Sequence, residues 1–547
     1  MAYGYRYGEV ELPRLKNIKV GTRITVTSLP NIDSRRPAQV SLGLHVDGMA
    51  LPHPDLDDVD TAIAGVRKRL AFRPPPIDPQ RLSRFRAFVR RWVRIHLVPL
   101  DGCSDTSLEH WLEGTNYPLW RKEQLKDCWA GVEEMCNLEA KHYHVKSFMK
   151  DETYPEYKHG RGINSRTDPF KCAVGPIFKL IEQVLFRHDQ FIKKVPVSDR
   201  PRVISERLKK FGAKYYCTDF TSYESLFVAE IMHACEFELY DYMTQALPEG
   251  KEFMKLMRTV LAGVNVCHWR RIRVEVPATR MSGEMCTSLG NGFTNLMLVL
   301  FLCSEMGTDV DGFVEGDDGI FVMSGEPPSS DDFASLGMVI KMETHTTLSS
   351  ASFCGIIFDE DDLCNLTDPI ETVVKFGYTV GRYACAKNKR MKMLLRCKAL
   401  SLAHQYKGCP ILDSLAHAAL RLTRGVKHYI AGWVKRNGPA GLSMWDREQL
   451  LDAIAAGEPT PQRPGLGSRL LVEKIWHITC DEQASLEAYF DSLSEIKPLV
   501  HPVLHSHANP AWFKYWDMYV LTQRLGDDQI AHPRLSAGIR PGHIKEW

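Results

Sequence analysis

Nine consecutive residues, Val314-Glu-Gly-Asp-Asp-Gly-Ile-Phe-Val322, restrict what this 547-residue chain can fold into more than any other feature. β-Branched and aromatic runs flank a glycine-assisted turn, so the stretch reads as strand, tight turn, strand, with Asp317 and Asp318 at the tip. Gly316 relieves the backbone where an unusual φ is required. Two adjacent acids held there repel each other unless a cation neutralises them, so a divalent-metal site is the simplest chemical reading and a solvated hairpin turn the alternative. A second copy, Gly526-Asp527-Asp528, is followed by Gln529-Ile-Ala-His-Pro533 and not by a strand. It reads as a surface turn.

The first copy has company. Upstream, Tyr216-Cys-Thr-Asp219-Phe-Thr-Ser-Tyr-Glu224 places another acid at the end of a short strand. Between the two lies Arg280-Met-Ser-Gly-Glu-Met-Cys-Thr287-Ser-Leu-Gly-Asn291, where a Ser282-Gly283 loop opens a helical run. Thr287 and Asn291 are four apart and share one helical face.

Charge is unremarkable in total, 69 Lys+Arg against 67 Asp+Glu, and uneven along the chain. Residues 61–100 carry a local +9, 141–210 a local +8 and 381–436 a local +12, leaving the remainder strongly acidic. Such segregation suits a positively lined channel for a polyanion, or equally several separate solvated helix faces. A hydrophobic share of 44% excludes a disordered polyelectrolyte. Fifteen cysteines without a C-x-x-C pair, behind an N-terminus without a signal-peptide pattern, predict reduced thiols in a cytosolic setting. The longest clean apolar run, Leu296 to Cys303, is too short to span a bilayer, so no transmembrane segment is expected.

Punctuation falls at the proline-rich stretch 73–79 and the Gly/Pro-rich stretch 455–465. Residues 81–96 form an amphipathic pattern with Leu82, Phe85, Val89, Trp92, Val93 and His96 on one face and arginines elsewhere. This helix suits a nucleic-acid path, an anionic membrane surface or plain packing. A mixed α/β centre is expected between about 213 and 360, and a largely helical region beyond 381.

This ordered set closely resembles the palm motifs of viral RNA-dependent RNA polymerases of positive-strand viruses, in the tombusvirus-like supergroup. Asp219 to Glu224 corresponds to motif A, Ser282-Gly-x-x-x-Thr287-x-x-x-Asn291 to motif B and Gly316-Asp317-Asp318 to motif C. Leu336-Gly-Met-Val-Ile-Lys341 is similar to motif D and Ser352-Phe-Cys-Gly355 to the motif E hairpin. The stretch from Phe148 through Lys150 and Lys158-His-Gly-Arg161 to Arg166 is similar to the basic motif F. Six such motifs in family order are far more specific than any one alone.

The resemblance implies an α+β right-hand fold of fingers, palm and thumb, with an antiparallel-sheet palm and a largely helical thumb. Fingers would take residues 1–186, motif A palm 187–228, a return of fingers 229–280, the remaining palm 281–361, and the thumb with the C-terminal segment 362–547. It implies template-directed RNA synthesis from ribonucleoside triphosphates, with two Mg²⁺ or Mn²⁺ ions held by Asp219 and Asp317 and supported by Asp318. Lys150, Lys158, Arg161 and Arg166 would bind the triphosphate. Ribose selection would fall to Glu224, Ser282, Thr287 and Asn291, with Glu224 standing where the family usually has Asp. Lys341 would be the general acid for pyrophosphate, as a desolvated amine near phosphates. Phe353, Cys354 and Gly355 would grip the primer, and Arg390, Lys392, Arg396 and Lys398 would contact RNA from the thumb.

Five aromatics within Ala511–Tyr519 suit either a stacking platform for primer-independent initiation or a buried thumb helix. The resemblance further implies an RNA template and product duplex, other viral or host replication proteins as partners, and a place in the host cytoplasm at a membrane-associated complex. A reverse transcriptase would carry an aromatic and a small residue before Asp-Asp, where this chain has Glu315-Gly316. A non-catalytic RNA-binding factor explains the basic windows but not three ordered acid motifs, and no G-K-[S/T] loop supports an NTPase.

Overall fold

The computed structural model describes residues 1–27, 35–210, 213–436 and 444–521, so the second Gly-Asp-Asp copy lies outside the described residues. Helices and strands mix throughout, an α+β architecture. At the centre is a four-stranded antiparallel sheet in the order Ile340–His345, Lys214–Phe220, Asp318–Met323, Val310–Glu315. Val310–Glu315 and Asp318–Met323 form a hairpin in which Asp318 faces Glu315, and Gly316 takes a φ of 61° in the turn. The sequence pattern of strand, glycine turn, strand is met directly.

Alternation along these strands feeds two cores. Tyr216, Phe220, Val314, Phe321 and Met323 join a large core with helices Pro79–His96, Asp168–Leu185, Glu236–Thr244, Gly250–Val260 and Thr287–Met306. Tyr215, Cys217, Phe313, Ile320 and Val322 face the other way, into a smaller core with Ile192, Ile204, Leu208 and Phe353. Burial on both faces holds the sheet's registers firmly, because a slip of one residue would exchange the two cores. Thr287–Met306 is the one described helix with the length and hydropathy of a membrane span, and most of it is buried inside the molecule.

A second sheet has the order Arg23–Val26, Ile272–Pro277, Val264–His268, Val145–Met149, Gly162–Arg166. Its core takes Ala62, Val66 and Leu70 from helix Val59–Arg69 and its C-cap. Beyond residue 381 helices predominate, and Asn388–Gln405, Leu412–Leu422 and Cys480–Ser492 pack around Leu395, Leu415, Leu486 and Phe490. The 455–465 stretch lies almost wholly outside helix, between Met444–Ala456 and Leu466–Trp476.

Residues 37–51 do not form one unit with 71–186, although Arg23–Val26 and Val59–Arg69 pack with the 145–166 hairpin. Leu42, Leu44, Val46, Met49 and Leu51 are buried in the core of the C-terminal helices. Pro37–Ser41 pairs with Ala2–Tyr3 on one side and with Tyr378–Val380 on the other. A boundary drawn at 186 therefore cuts across packing: the alternating apolar residues of 42–51 find their dry surface on the helical region.

Helix Pro79–His96 begins where the proline-rich stretch ends, with the Asp78 side chain accepting from Gln80 N at 2.8 Å. Phe85, Val89, Trp92 and Val93 are buried as expected, while His96 is exposed and stacks on Trp92. Part of the arginine face is engaged: Arg81 and Arg84 pair with Glu305, and Arg86 and Arg90 with Glu238.

The aromatic cluster forms helix Pro510–Tyr519 and is not a platform. Trp512, Tyr515 and Tyr519 are buried; Tyr515 Oη donates to Tyr3 O at 2.7 Å and Tyr519 Oη to Glu9 at 3.0 Å. Trp512 Nε1 donates to Pro155 O at 2.9 Å. Tyr515 and Tyr519 are thus spent on the N-terminal segment and Trp512 on the C-terminal helical core, while Phe513 and Trp516 are half-buried. All fifteen cysteines are free.

Candidate active site

Three acids meet at one end of the central sheet. Asp219 is the penultimate residue of Lys214–Phe220, and Asp317 and Asp318 end the neighbouring hairpin turn, with Gly319 registered opposite Thr218. All three residues are exposed. The surrounding walls still displace water: Asp318 is pushed up to about 7 by desolvation and then by the like charges of Asp317, Asp219 and Glu315. Asp317 is raised by desolvation and by Asp219, against Arg161 and Arg69. Glu315 is closed off by Arg200 at 2.6 Å. The acids thus form a site of negative charge without a bonded cation, which is what a hard divalent ion requires of carboxylate oxygens. Among the described residues, no three acid, histidine or cysteine side chains converge tightly enough to hold an ion by themselves.

The turn is held from below by a residue that sequence reading passed over. Asn295, fully buried on helix Thr287–Met306, donates through Nδ2 to Asp317 O at 3.0 Å and Gly316 O at 3.4 Å. Gly292 of the same helix also faces the turn; a Cβ there would stand 3.4 Å from Gly316 N, in ordinary contact. The signal was available: Asn295 is four residues beyond Asn291, a second amide in a run otherwise apolar.

Beside the acids is a cavity of about 180 Å³ lined by Arg69, Lys150, Arg161, Glu224, Arg280 and Ser282, with the 162–164 backbone. Lys150 and Arg161 follow and precede the two strands Val145–Met149 and Gly162–Arg166, which pair antiparallel and so bring the cations together. Both share one carboxylate: Glu152 lies 2.6 Å from Arg161 Nε and 2.9 Å from Lys150 Nζ. Burial works to raise Glu152, and the two cations outweigh it, holding it at about 2. Arg69 is the second residue missed from the sequence; it comes from the last turn of Val59–Arg69, far from the basic hairpin in the chain.

The other two triphosphate candidates lie elsewhere. Arg166 is buried, ion-paired to Glu284 and donating to Tyr143 O at 2.6 Å and to the Asn265 side chain. As the last residue of its strand with an inward-facing side chain, it ties the hairpin to the loop before helix Thr287–Met306. Lys158 is exposed, its N–H donates to Tyr5 Oη at 3.2 Å, and the acid it influences is Glu371.

Glu224 and Ser282 reach the cavity, and Asn291 borders it through Arg280. Glu224 is raised by desolvation and by Asp317, with Arg69 and Arg161 opposing. It follows Ser222, whose φ of 55° puts a non-glycine residue in the left-handed region, a conformation that costs about 1 kcal/mol and turns the chain sharply after Asp219. Ser282 Oγ donates to Gly162 O at 2.9 Å and accepts from Asn164 N at 3.1 Å, clamping its loop to the basic hairpin. Thr287 does not face the cavity: its hydroxyl lies 2.9 Å from Met281 O and 3.0 Å from Glu284 O, closing that same loop.

Lys341 is registered opposite Asp219 across the strand pair, which places it at the acid end of the sheet. It is not desolvated. Its amine is exposed and bonded to Glu343 at 2.7 Å, which raises its pKa. The motif E stretch makes a tight turn with Phe353 bridged to Ile356, Cys354 at φ 55° and Gly355 at φ 72°. Phe353 is buried under the sheet, and Cys354 adjoins Asp318 and Glu315.

Of the four thumb candidates, two face inward. Arg396 is 1% exposed, donates to Leu420 O at 2.8 Å and pairs with Glu458. Lys398 donates to Tyr378 O at 2.6 Å and Lys375 O at 2.9 Å, and burial brings its pKa down to about 7. Between 393 and 400, helix Asn388–Gln405 is buried at every residue but Lys398, which is partly exposed while its amine is bonded inward. Arg390 is exposed and Lys392 half-exposed.

The model of the family described as viral RNA dependent RNA polymerase matches residues 233–494, just under half of the chain. That range holds the 282–291 loop and helix, the 316–318 turn, Lys341, the 352–355 turn and helix Asn388–Gln405; Asp219, Glu224 and the basic hairpin precede it. No curated protein matches the chain. A tombusvirus-like position is consistent with the match, which identifies the chain as a viral RNA-dependent RNA polymerase, an RNA-directed nucleotidyltransferase.

Proposed function

We propose that the cleft over Asp219, Asp317 and Asp318 is where this polymerase joins ribonucleotides, and that the molecule is laid out as a right hand. The four-stranded sheet is then the palm, the five-stranded sheet with its helices the fingers, and the helices beyond 381 the thumb, with residues 1–51 running between fingers and thumb. The observation that carries the reading is the juxtaposition of uncompensated acids with a cavity lined by cations. One half of the site lacks positive charge, and the other offers it to an anion.

Asp219 and Asp317 fit as holders of two Mg²⁺ or Mn²⁺ ions, with Asp318 in support, because Mg²⁺ is commonly held by one or two carboxylates together with the substrate's own phosphates. Such ions, when bound, lower the pKa of the 3′-hydroxyl and neutralise the leaving pyrophosphate. The chain's own residues do the rest. Lys150 and Arg161 exchange Glu152 for the triphosphate, and Arg69 adds a third cation. Glu224, Ser282 and Asn291 meet the ribose. Lys341, released from Glu343 when phosphate approaches, can pass its proton to pyrophosphate. Phe353, Cys354 and Gly355 steady the primer end, and Arg390 and Lys392 meet the product duplex. Unprimed initiation rests on the family resemblance alone, since the Pro510–Tyr519 aromatics are spent on packing. Association with other replication proteins on a host cytoplasmic membrane belongs to the same proposal.

The test is incorporation of labelled ribonucleotide on a homopolymeric RNA template with Mg²⁺ or Mn²⁺, with and without a primer. Synthesis that falls by about 10³-fold or more in Asp317→Ala supports the reading. RNA binding without synthesis in the unaltered chain sinks it, and a preference for deoxyribonucleotides replaces it with reverse transcription.

A further inference from the structure

Directly beneath the cavity lies a fully buried ion pair that the proposed chemistry does not use. Arg280 and Glu236 both have side chains at 0% exposure and are bonded to each other. Tyr240 Oη donates to the same Glu236 oxygen at 2.7 Å, and the Arg280 guanidinium lies 4.5 Å over the Phe227 ring. Helix Thr287–Met306 passes close enough only because residue 290 is glycine: a Cβ there would meet Arg280 Nη2 at 2.5 Å and Glu236 Oε2 at 2.6 Å. Burying both charges is costly, and a pair of apolar residues of similar volume would serve packing as well or better. The pair therefore calls for another explanation.

Arg280 Nη1 donates to Cys286 Sγ at 3.2 Å, and one further contact supplies an explanation. Arg280 Nε donates to Asn291 Oδ1 at 3.2 Å. A guanidinium has donors only, so the atom facing it must be the amide oxygen, and the orientation of the Asn291 amide is fixed by chemistry. Asn291 Nδ2 is then turned the other way, and among the described residues no hydrogen bond to it is formed. Ser282 is already committed to Gly162 and Asn164, so it is poorly placed to hand over a proton.

We propose that Arg280, anchored by Glu236 and Tyr240, is a positioning residue that makes Asn291 an obligate hydrogen-bond donor to the ribose 2′-oxygen, leaving Glu224 to accept the 2′-hydroxyl proton. The inference rests on the assignment of ribose selection to this site. A 2′-hydroxyl satisfies a donor and an acceptor at once, whereas a 2′-hydrogen leaves both Asn291 and Glu224 unpaired in a cavity that excludes most water. Selectivity is thus built into a buried charge that touches the ribose only through Asn291.

The experiment compares kcat/KM for a ribonucleoside triphosphate with that for its 2′-deoxy counterpart in the full chain, with thermal melting of every variant recorded. Asn291→Ala tests the underlying reading: if the ribo-to-deoxy ratio does not move, ribose selection is not made here and the inference falls with it. Given that it moves, Arg280→Lys and the charge-free pair Glu236→Gln with Arg280→Met are expected to lower the ratio by about ten- to a hundredfold. The double change avoids leaving a lone buried charge and so keeps the test open if Arg280→Lys fails to fold. Asn291→Ala added to either should lower the ratio no further. An equal fall for both nucleotides, or an unchanged ratio in a folded variant, overturns the positioning role.

Discussion

The basic hairpin of residues 145–166 and the helix Asn388–Gln405 each carry five lysines and arginines, with three acids among them in the hairpin and none in the helix, yet the fold uses these cations in opposite ways. In the hairpin, Lys150 and Arg161 stand just outside the strands, at the mouth of a cavity, sharing a single carboxylate. In the helix, Arg396 and Lys398 point into the molecule and are bonded to backbone carbonyls. The hairpin cations are held loosely enough to change partner; the helix cations are part of the packing. Charge density along a chain says how much charge is present, and only its phase against the apolar pattern says where it goes.

The comparison can be broken most sharply within the hairpin itself. Arg166→Ala leaves Glu284 buried and unpaired and should cost about 3–5 kcal/mol of stability, read by denaturant unfolding. Arg161→Ala, five residues away, should leave the unfolding midpoint nearly unchanged and lower kcat/KM for nucleotide by about ten- to a hundredfold. If Arg166→Ala instead behaves like Arg161→Ala, the division between structural and substrate-facing cations is wrong.

A second contrast concerns the acids. A carboxyl whose pKa rises on folding supports the fold below its ordinary value near 4 and withdraws that support as pH climbs through the folded value, here about 7 for Asp318. In EDTA, Asp318→Asn should match the unaltered chain near pH 4 and melt higher above pH 7, by about 1–3 °C for a chain of this size. Mg²⁺ should stabilise the unaltered chain more at pH 8 than at pH 6. A variant that melts lower at pH 8 would show that the acids are not in mutual repulsion. The smallest effect belongs to the helix: Arg390→Ala should reduce the salt slope of RNA binding by about one unit, whereas Lys398→Met should leave that slope alone.

Much of this was legible in the sequence. Strand, turn and strand around Gly316, the strand ending near Asp219 and the helix carrying Thr287 and Asn291 all follow from short-range alternation and glycine placement, and each is present. The side-chain duties were less readable, because they depend on which face a neighbour covers. Thr287 shares a helical face with Asn291, but it sits at the first turn and its hydroxyl is taken by the loop carbonyls it closes. Arg69 and Asn295 were missed for different reasons: one arrives from a distant helix, which no local pattern reports, and the other was hidden in a long apolar run. Arg396 and Lys398 lie amid Met393, Leu394, Leu395, Cys397, Ala399 and Leu400, a density of apolar residues that buries Arg396 and leaves Lys398 only partly exposed.

The pairing of the first strand with the far end of the chain has a consequence for how the molecule is made. Ala2 bridges Val520, Leu521 N donates to Met1 O at 2.8 Å, and Tyr5 shares a core with Tyr515 and Tyr519. A ribosome delivers these partners in order, separated by more than 500 residues at about 5–20 residues per second. The opening strand can pair early with Pro37–Ser41, but its contacts with residues 515–521 wait for some tens of seconds until those residues emerge. These contacts join segments more than 500 residues apart, so this part of the fold closes only after the intervening chain has been made.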